Sequence, residues 1–117
     1  MSEKHKEILL KANAEVIKGN NEGFLNYCTD DVTWTFVGEQ TIRGKDKIRK
    51  YMMETYITPP EFDIVTLISE GDYVTATGSI SLKDNQGKVN SFEYCDVWKF
   101  RDGLMAELTA FVIPHKD

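Results

Sequence analysis

The sequence predicts an α+β fold in which helices come first and an antiparallel meander follows. Apolar residues recur at helical spacing in three segments of the N-terminal half, whereas apolar and polar residues alternate in the C-terminal half, between short turns that contain Gly. The chain has 117 residues, of which 41% are hydrophobic, and that is enough to bury one core. We therefore expect a single domain over residues 1–117.

Three helices are expected in the N-terminal half. The first covers residues 3–18, where apolar side chains recur on one face. Asn20 can cap a second, short helix that ends near Thr29, because an Asn side chain accepts a hydrogen bond from a free backbone N–H group. The third helix covers residues 45–56, and Pro59 prevents its continuation.

Five strands are expected, one of them (residues 31–37) between the second and third helices. The other four follow the third helix, at residues 62–69, 73–83, 89–101 and 104–113. The strongest turn signal is Asp102-Gly103, since both residues tolerate the positive φ of a tight hairpin. The last four strands should therefore form an antiparallel meander.

Charge and hydropathy exclude several classes of partner. The 19 acidic and 14 basic residues give a net charge of -5, and the basic residues are scattered, so a nucleic-acid surface is not expected. No run approaches the roughly 18 apolar residues that cross a membrane. The charged N-terminus does not resemble a signal peptide, so we expect a cytoplasmic protein whose two cysteines are free thiols.

The sequence contains no motif for a metal or a cofactor. His5 and His115 lie near opposite ends of the chain, without other ligands at suitable spacing. No Gly-rich phosphate loop and no recognisable nucleophile motif is present. We therefore expect neither a bound metal nor a cofactor.

Three stretches resemble the SnoaL-like branch of the nuclear transport factor 2-like (NTF2-like) superfamily. They are NNEGFLNYCTDDVTW (residues 20–34), IRGKDKIRKYM (residues 42–52) and YCDVWKFRDGLMAEL (residues 94–108). The resemblance implies a cone-shaped sheet that wraps around the three helices and encloses a pocket for an apolar small molecule. It also implies a homodimer that forms through the outer face of the sheet.

Asp96 is the principal candidate for chemistry. It alternates with aromatic residues on one face of the strand over residues 89–101, among them Tyr94, and burial there should raise the pKa of its carboxyl group. The resemblance implies that an acidic residue at this point faces the pocket and acts as an acid or base. Alternatively, Asp96 pairs with a buried amide, hydroxyl or Arg and only fixes the packing.

The remaining candidates are ligand contacts. Trp34 and Phe36 share one face of the first strand and would suit a flat apolar ligand, although ordinary core packing also explains them. Tyr27 on the second helix, and Tyr51 and Tyr56 on the third, could supply phenol donors, although each alone is more often a helix-face Tyr with its hydroxyl in water. Tyr94 lies beside Asp96. Glu107 lies either in the pocket or at a subunit interface, because both faces of the last strand are partly apolar.

These features favour a cofactor-free isomerase, cyclase or hydrolase that acts on a small apolar carbonyl compound. The alternatives are a dimeric binding protein without catalysis and a module for partner association. Ketosteroid isomerase activity is not expected. Alignment with that branch of the superfamily places Phe36 at the position of its proton-shuttling Asp and Ala12 at the position of its oxyanion-hole Tyr.

Overall fold

A computed structural model describes residues 2–115 and confirms the α+β class. The helices are α1 (Ser2–Ile17), α2 (Asn21–Leu25) and α3 (Lys45–Thr55). The strands are β1 (Cys28–Phe36), β2 (Gln40–Arg43), β3 (Glu61–Phe62), β4 (Thr66–Glu70), β5 (Tyr73–Lys83), β6 (Val89–Arg101) and β7 (Leu104–Pro114). No helix in this part of the chain is long and apolar enough to cross a membrane.

The strands form one seven-stranded sheet in the order β2-β1-β7-β6-β5-β3, and β4 also pairs with β5. Strands β4 to β7 form the expected antiparallel meander. Strand β1, in contrast, lies parallel to β7. Apolar faces of α1 and α3 cover the concave side of this sheet with Leu9, Ala12, Val16, Ile48 and Met52, all buried.

The second helix is shorter than predicted. It ends at Leu25, and Cys28 begins β1 instead of lying on the helix. The N–H group of Met105 donates to the carbonyl of Tyr27 at 2.8 Å, so pairing with β7 draws this segment into the sheet. The prediction of a helix to about Thr29 was therefore wrong, because a contact distant in sequence outweighs the local pattern.

Two further strand predictions were also incomplete. Strand β2 was missed because it has only four residues, of which Ile42 alone is buried. The strand predicted over residues 62–69 is two strands, β3 and β4, with an irregular segment around Asp63. There the Asp63 carbonyl lies so close to Gly78 of β5 that a Cβ atom at Gly78 would collide with it. A residue without a side chain is required at that crossing.

An irregularity between β6 and β7 decides which side of β7 faces the helices. The register shifts between Lys99 and Phe100, and both Met105 and Ala106 are buried as a result. Regular alternation then resumes, so that Leu108 faces inward. A bulge reverses the inward and outward assignment of all residues beyond it, and the alternation alone did not reveal it.

Candidate functional site

A cavity of about 130 Å³ lies between the helices and the concave face of the sheet. It is bounded by α1 and α3 on one side and by β1, β5, β6 and β7 on the other. Most of its wall is apolar or aromatic. Its lining residues include Leu9, Asn13, Val16, Phe24, Trp34, Phe36, Tyr51, Met52, Tyr56, Phe62, Ile80, Leu82, Tyr94, Asp96, Trp98, Leu108 and Val112.

Asp96 is the ionisable carboxylate of this wall. Strand β6 places it between Tyr94 and Trp98 on the concave face, as its alternation predicted. Within residues 2–115 its carboxyl group has no cation beside it and accepts no hydrogen bond, and burial raises its pKa to about 7. Because loss of hydration is the sole cause of this shift, the neutral form of the side chain is favoured.

Two tyrosines lie close enough to Asp96 for its charge to affect them. Burial, together with the charges of Tyr51 and Asp96, raises the pKa of Tyr56, so its phenol stays protonated. Burial and the Asp96 charge also raise the pKa of Tyr94, to about 12. The Tyr94 hydroxyl donates to the carbonyl of Asp63 at 2.5 Å, whereas no residue of the described chain hydrogen-bonds to the Tyr56 hydroxyl. Tyr56 is therefore the phenol free to donate to a ligand.

Trp34 is the centre of the aromatic wall. Its ring packs edge-to-face against four others, with centroid distances of 5.8 Å to Phe24, 6.0 Å to Tyr51, 6.2 Å to Phe36 and 6.3 Å to Trp98. Its Nε1–H group is buried and has no hydrogen-bond partner in residues 2–115. Such packing holds the rings rigidly and gives the cavity a fixed, low-polarity wall.

Four of the six predicted site residues line the cavity together: Trp34, Phe36, Tyr94 and Asp96. The other two do not. Tyr27 is partly buried against the core, and its backbone belongs to the connection between α2 and β1. Glu107 is exposed on the outer face of β7, in register with Lys99 of β6. The bulge in β7 before Glu107 turns this side chain away from the cavity. Glu107 was expected either in the pocket or on the outer surface, and it lies on the outer surface.

The sequence reasoning missed Asn13 and gave Tyr56 little weight. Asn13 lies one helical turn after Leu9 and less than a turn before Val16, on the buried face of α1. A lone amide within an apolar helix stripe was a usable signal for a ligand contact. Helical spacing with Ile48 and Met52 placed Tyr56 on the apolar face of the third helix, but its direction depends on how that helix ends, because it follows the last residue of α3.

Two other acidic side chains form ion pairs on the surface of the protein. Asp30 lies 3.5 Å from the Lys45 ammonium, and Asp31 lies 2.5 Å from the Arg101 guanidinium, both on exposed surface. Both residues belong to β1 and form ion pairs. No group of three or more His, Cys, Asp or Glu side chains among the described residues is arranged to hold a metal ion.

A curved sheet with helices packed across its concave face is the architecture of NTF2-like proteins. An NTF2-like protein of unknown function from Cytophaga hutchinsonii superposes with a TM-score of 0.73 at 19% identity, covering 97% of this chain and 99% of that one. A candidate SnoaL-like polyketide cyclase from Jannaschia sp. CCS1 gives 0.82 at 14% identity, covering 95% and 86%. The epoxide hydrolase/cyclase-like enzyme SalBIII, which has a role in pyran-ring formation in salinomycin, gives 0.86 at 18%, covering 94% and 91%.

Sequence comparison narrows this class to one family. The model of the SnoaL-like domain matches residues 11–108, which is most of the chain. The chain belongs to the SnoaL-like domain family.

Proposed function

We propose that the protein binds a small apolar carbonyl compound in the cavity and, without a cofactor, catalyses its isomerisation, cyclisation or hydrolysis. Asp96 is the general acid or base of this reaction. The observation that carries the proposal is a carboxylate without a partner in an aromatic cavity. A purely structural Asp would have acquired a cation or hydrogen-bond donors as partners on burial.

The surroundings of Asp96 suit proton transfer. With a pKa of about 7, both of its protonation states are populated near neutral pH. Such a group can take a proton from one atom of a substrate and return it to another, because neither form is strongly preferred. The apolar wall also excludes water that would otherwise compete for the proton.

Tyr56 supplies the complementary donor. When Asp96 removes a proton from the carbon next to a carbonyl, the bonding electrons move to the carbonyl oxygen, which becomes an enolate. The free Tyr56 hydroxyl can donate a hydrogen bond to that oxygen and stabilise its charge in a low-polarity site. If the substrate carries a C=C bond beyond that carbon, the enolate extends over this bond, and return of the proton from Asp96 to its far carbon completes an isomerisation.

The names of similar proteins support the reaction class. SalBIII is described as epoxide hydrolase/cyclase-like, and the Jannaschia protein is a candidate polyketide cyclase. Both descriptions name ring closure, and that of SalBIII also names epoxide hydrolysis. The same class of reaction needs a positioned acid or base, which Asp96 provides in this chain.

A test can use acetophenone, an aromatic ketone with a single ring. We expect it to quench tryptophan fluorescence, because Trp34 and Trp98 both line the cavity. We also expect the protein to accelerate exchange of its methyl protons in D2O, followed by NMR. The rate should rise with pH up to about 7 and then level off, since the carboxylate is the base.

Asp96→Asn should reduce the exchange rate by about 100-fold or more while fluorescence quenching remains. Glu93→Gln is the matched control, because Glu93 is a carboxylate on the outer face of the same strand. It should leave exchange unchanged. Quenching without any exchange above buffer would exclude the acid–base role toward carbonyl compounds and favour binding without catalysis. A ketosteroid should not be isomerised, since Phe36 lines the cavity where that enzyme's Asp would act.

A further inference from the structure

A second space lies next to the cavity, on the other side of Leu82. A groove of about 310 Å³ lies between the end of α3 and the hairpin that joins β5 to β6. Leu82 lines both spaces. Thr55 and Ile57 line the groove, while Tyr56 between them lines the cavity. The two spaces are therefore neighbours, separated by Leu82 and Tyr56.

The volumes indicate that the cavity alone holds only part of a typical ligand. A cavity of about 150 Å³ accommodates one benzene ring. At about 130 Å³ the present cavity has room for a single ring. Sites for metabolite-sized ligands occupy roughly 300–1,000 Å³. The cavity alone is smaller than this range, whereas the cavity and the groove together fall within it.

The groove differs from the cavity in chemistry. Its wall carries two acids and one base, Glu54, Asp84 and Lys83, together with the Thr55 hydroxyl and the Asn85 amide. A second acid, Asp84, is already occupied, since its Oδ1 accepts hydrogen bonds from the N–H groups of Gln86 and Lys88 at 2.9 and 3.0 Å. The neutral hydrogen-bonding groups suit an uncharged hydroxylated arm, and the excess of acidic over basic side chains disfavours an anionic one.

We propose that the natural ligand is elongated and amphiphilic, with an apolar ring in the cavity and a neutral hydroxylated arm that passes Leu82 into the groove. This inference rests on the proposed function only in placing the apolar end beside Asp96. Leu82 is then a specificity-determining residue, because its size sets whether a ligand can extend beyond one ring. The groove supplies affinity for the arm and takes no part in proton transfer.

Calorimetric titration can compare phenol with glucosides that carry a phenyl group on linkers of increasing length. We expect the best glucoside to bind about tenfold or more tightly than phenol, since it buries additional surface and gains hydrogen bonds in the groove. Thr55→Trp should abolish this advantage and leave phenol affinity unchanged, because Thr55 lines the groove and not the cavity. Asn85→Trp obstructs the groove from the side of the hairpin and should act in the same way if Thr55→Trp fails to fold.

Val89→Trp is the matched control, because Val89 is exposed on the same hairpin and lines neither space. It should preserve the advantage of the glucoside. Equal affinities for phenol and all glucosides would overturn the groove subsite while leaving the cavity and the proposed function intact. Equal loss of phenol and glucoside binding in both folded groove variants would also overturn it. Absence of binding by phenol itself would overturn the occupancy of the cavity on which both proposals depend.

Discussion

Strand β6 carries two carboxylates, Asp96 and Glu93, in opposite surroundings. Asp96 faces the aromatic cavity and has no partner within the described residues. Glu93 lies on the outer face, where 56% of its side chain is exposed. Its Oε2 accepts a hydrogen bond from the Ser79 hydroxyl at 2.8 Å and lies 3.3 Å from Nδ1 of His115.

Because of these different surroundings, the Glu93 carboxylate is compatible with a stable fold, whereas the charged Asp96 carboxylate destabilises it. Water and neighbouring donors satisfy the Glu93 carboxylate, so its charge is tolerated at little free-energy cost. The charged form of Asp96 has no neighbouring donor in the described residues and has lost much of its hydration, which lowers the stability of the fold at neutral pH. A structural role does not explain a carboxylate that destabilises the fold, whereas a role in proton transfer does.

The largest effect should come from Asp96→Asn. The pKa of Asp96 is about 7 in the folded chain and 3.8 ordinarily, so the folded protein holds this proton more tightly than the unfolded chain does. Its stability relative to the variant should therefore fall as pH rises from about 4 to 7 and stay low above 7. Asp96→Asn should stabilise the fold by up to about 4 kcal/mol at pH 8 and change it little at pH 4.

Urea unfolding at these two pH values measures the difference. Loss of stability in Asp96→Asn at both pH values would show that the carboxylate accepts hydrogen bonds that tie the sheet together. In that case the Asp96 carboxylate would be satisfied by hydrogen bonds as the Glu93 carboxylate is, and the two would not differ in their effect on stability.

An intermediate effect is expected from Tyr94→Phe. Tyr94 lies on the same inner face as Asp96, but its hydroxyl has a partner in the Asp63 carbonyl. Removal of this hydrogen bond should lower the free energy of unfolding by about 1 kcal/mol and loosen the segment between β3 and β4. Tyr56→Phe is the control and should be nearly neutral in denaturant melts, because no bond to the described chain is lost. Equal losses in both variants would contradict this assignment of partners.

The smallest effect should come from Glu93→Gln. The side chain is exposed and the amide can keep the contact with Ser79, so stability should change by less than about 0.5 kcal/mol. The change should also be similar at pH 5 and pH 8 in thermal melts. A pH-dependent gain as large as that of Asp96→Asn would mean that the two carboxylates differ in exposure but not in energetics.

Local sequence was sufficient for part of the inner wall. Alternation on β6 assigned Asp96 and Tyr94 to one face, and the short pattern on β1 paired Trp34 with Phe36. Such patterns succeed because a strand turns successive side chains to opposite faces regardless of what packs there. The homodimer, the ligand and the reaction stay predictions.

The sequence by itself determined the α+β class, the order of helices and meander, and the aromatic setting of Asp96, because these follow from periodicity along a few residues. Only the tertiary structure decided that Asp96 has no partner in the described residues and that Tyr56 joins it at the cavity. It also decided that Glu107 faces outward, through a bulge opposite Lys99. These features depend on segments far apart in the chain that meet only when the sheet curves around its helices, and no local pattern encodes such meetings.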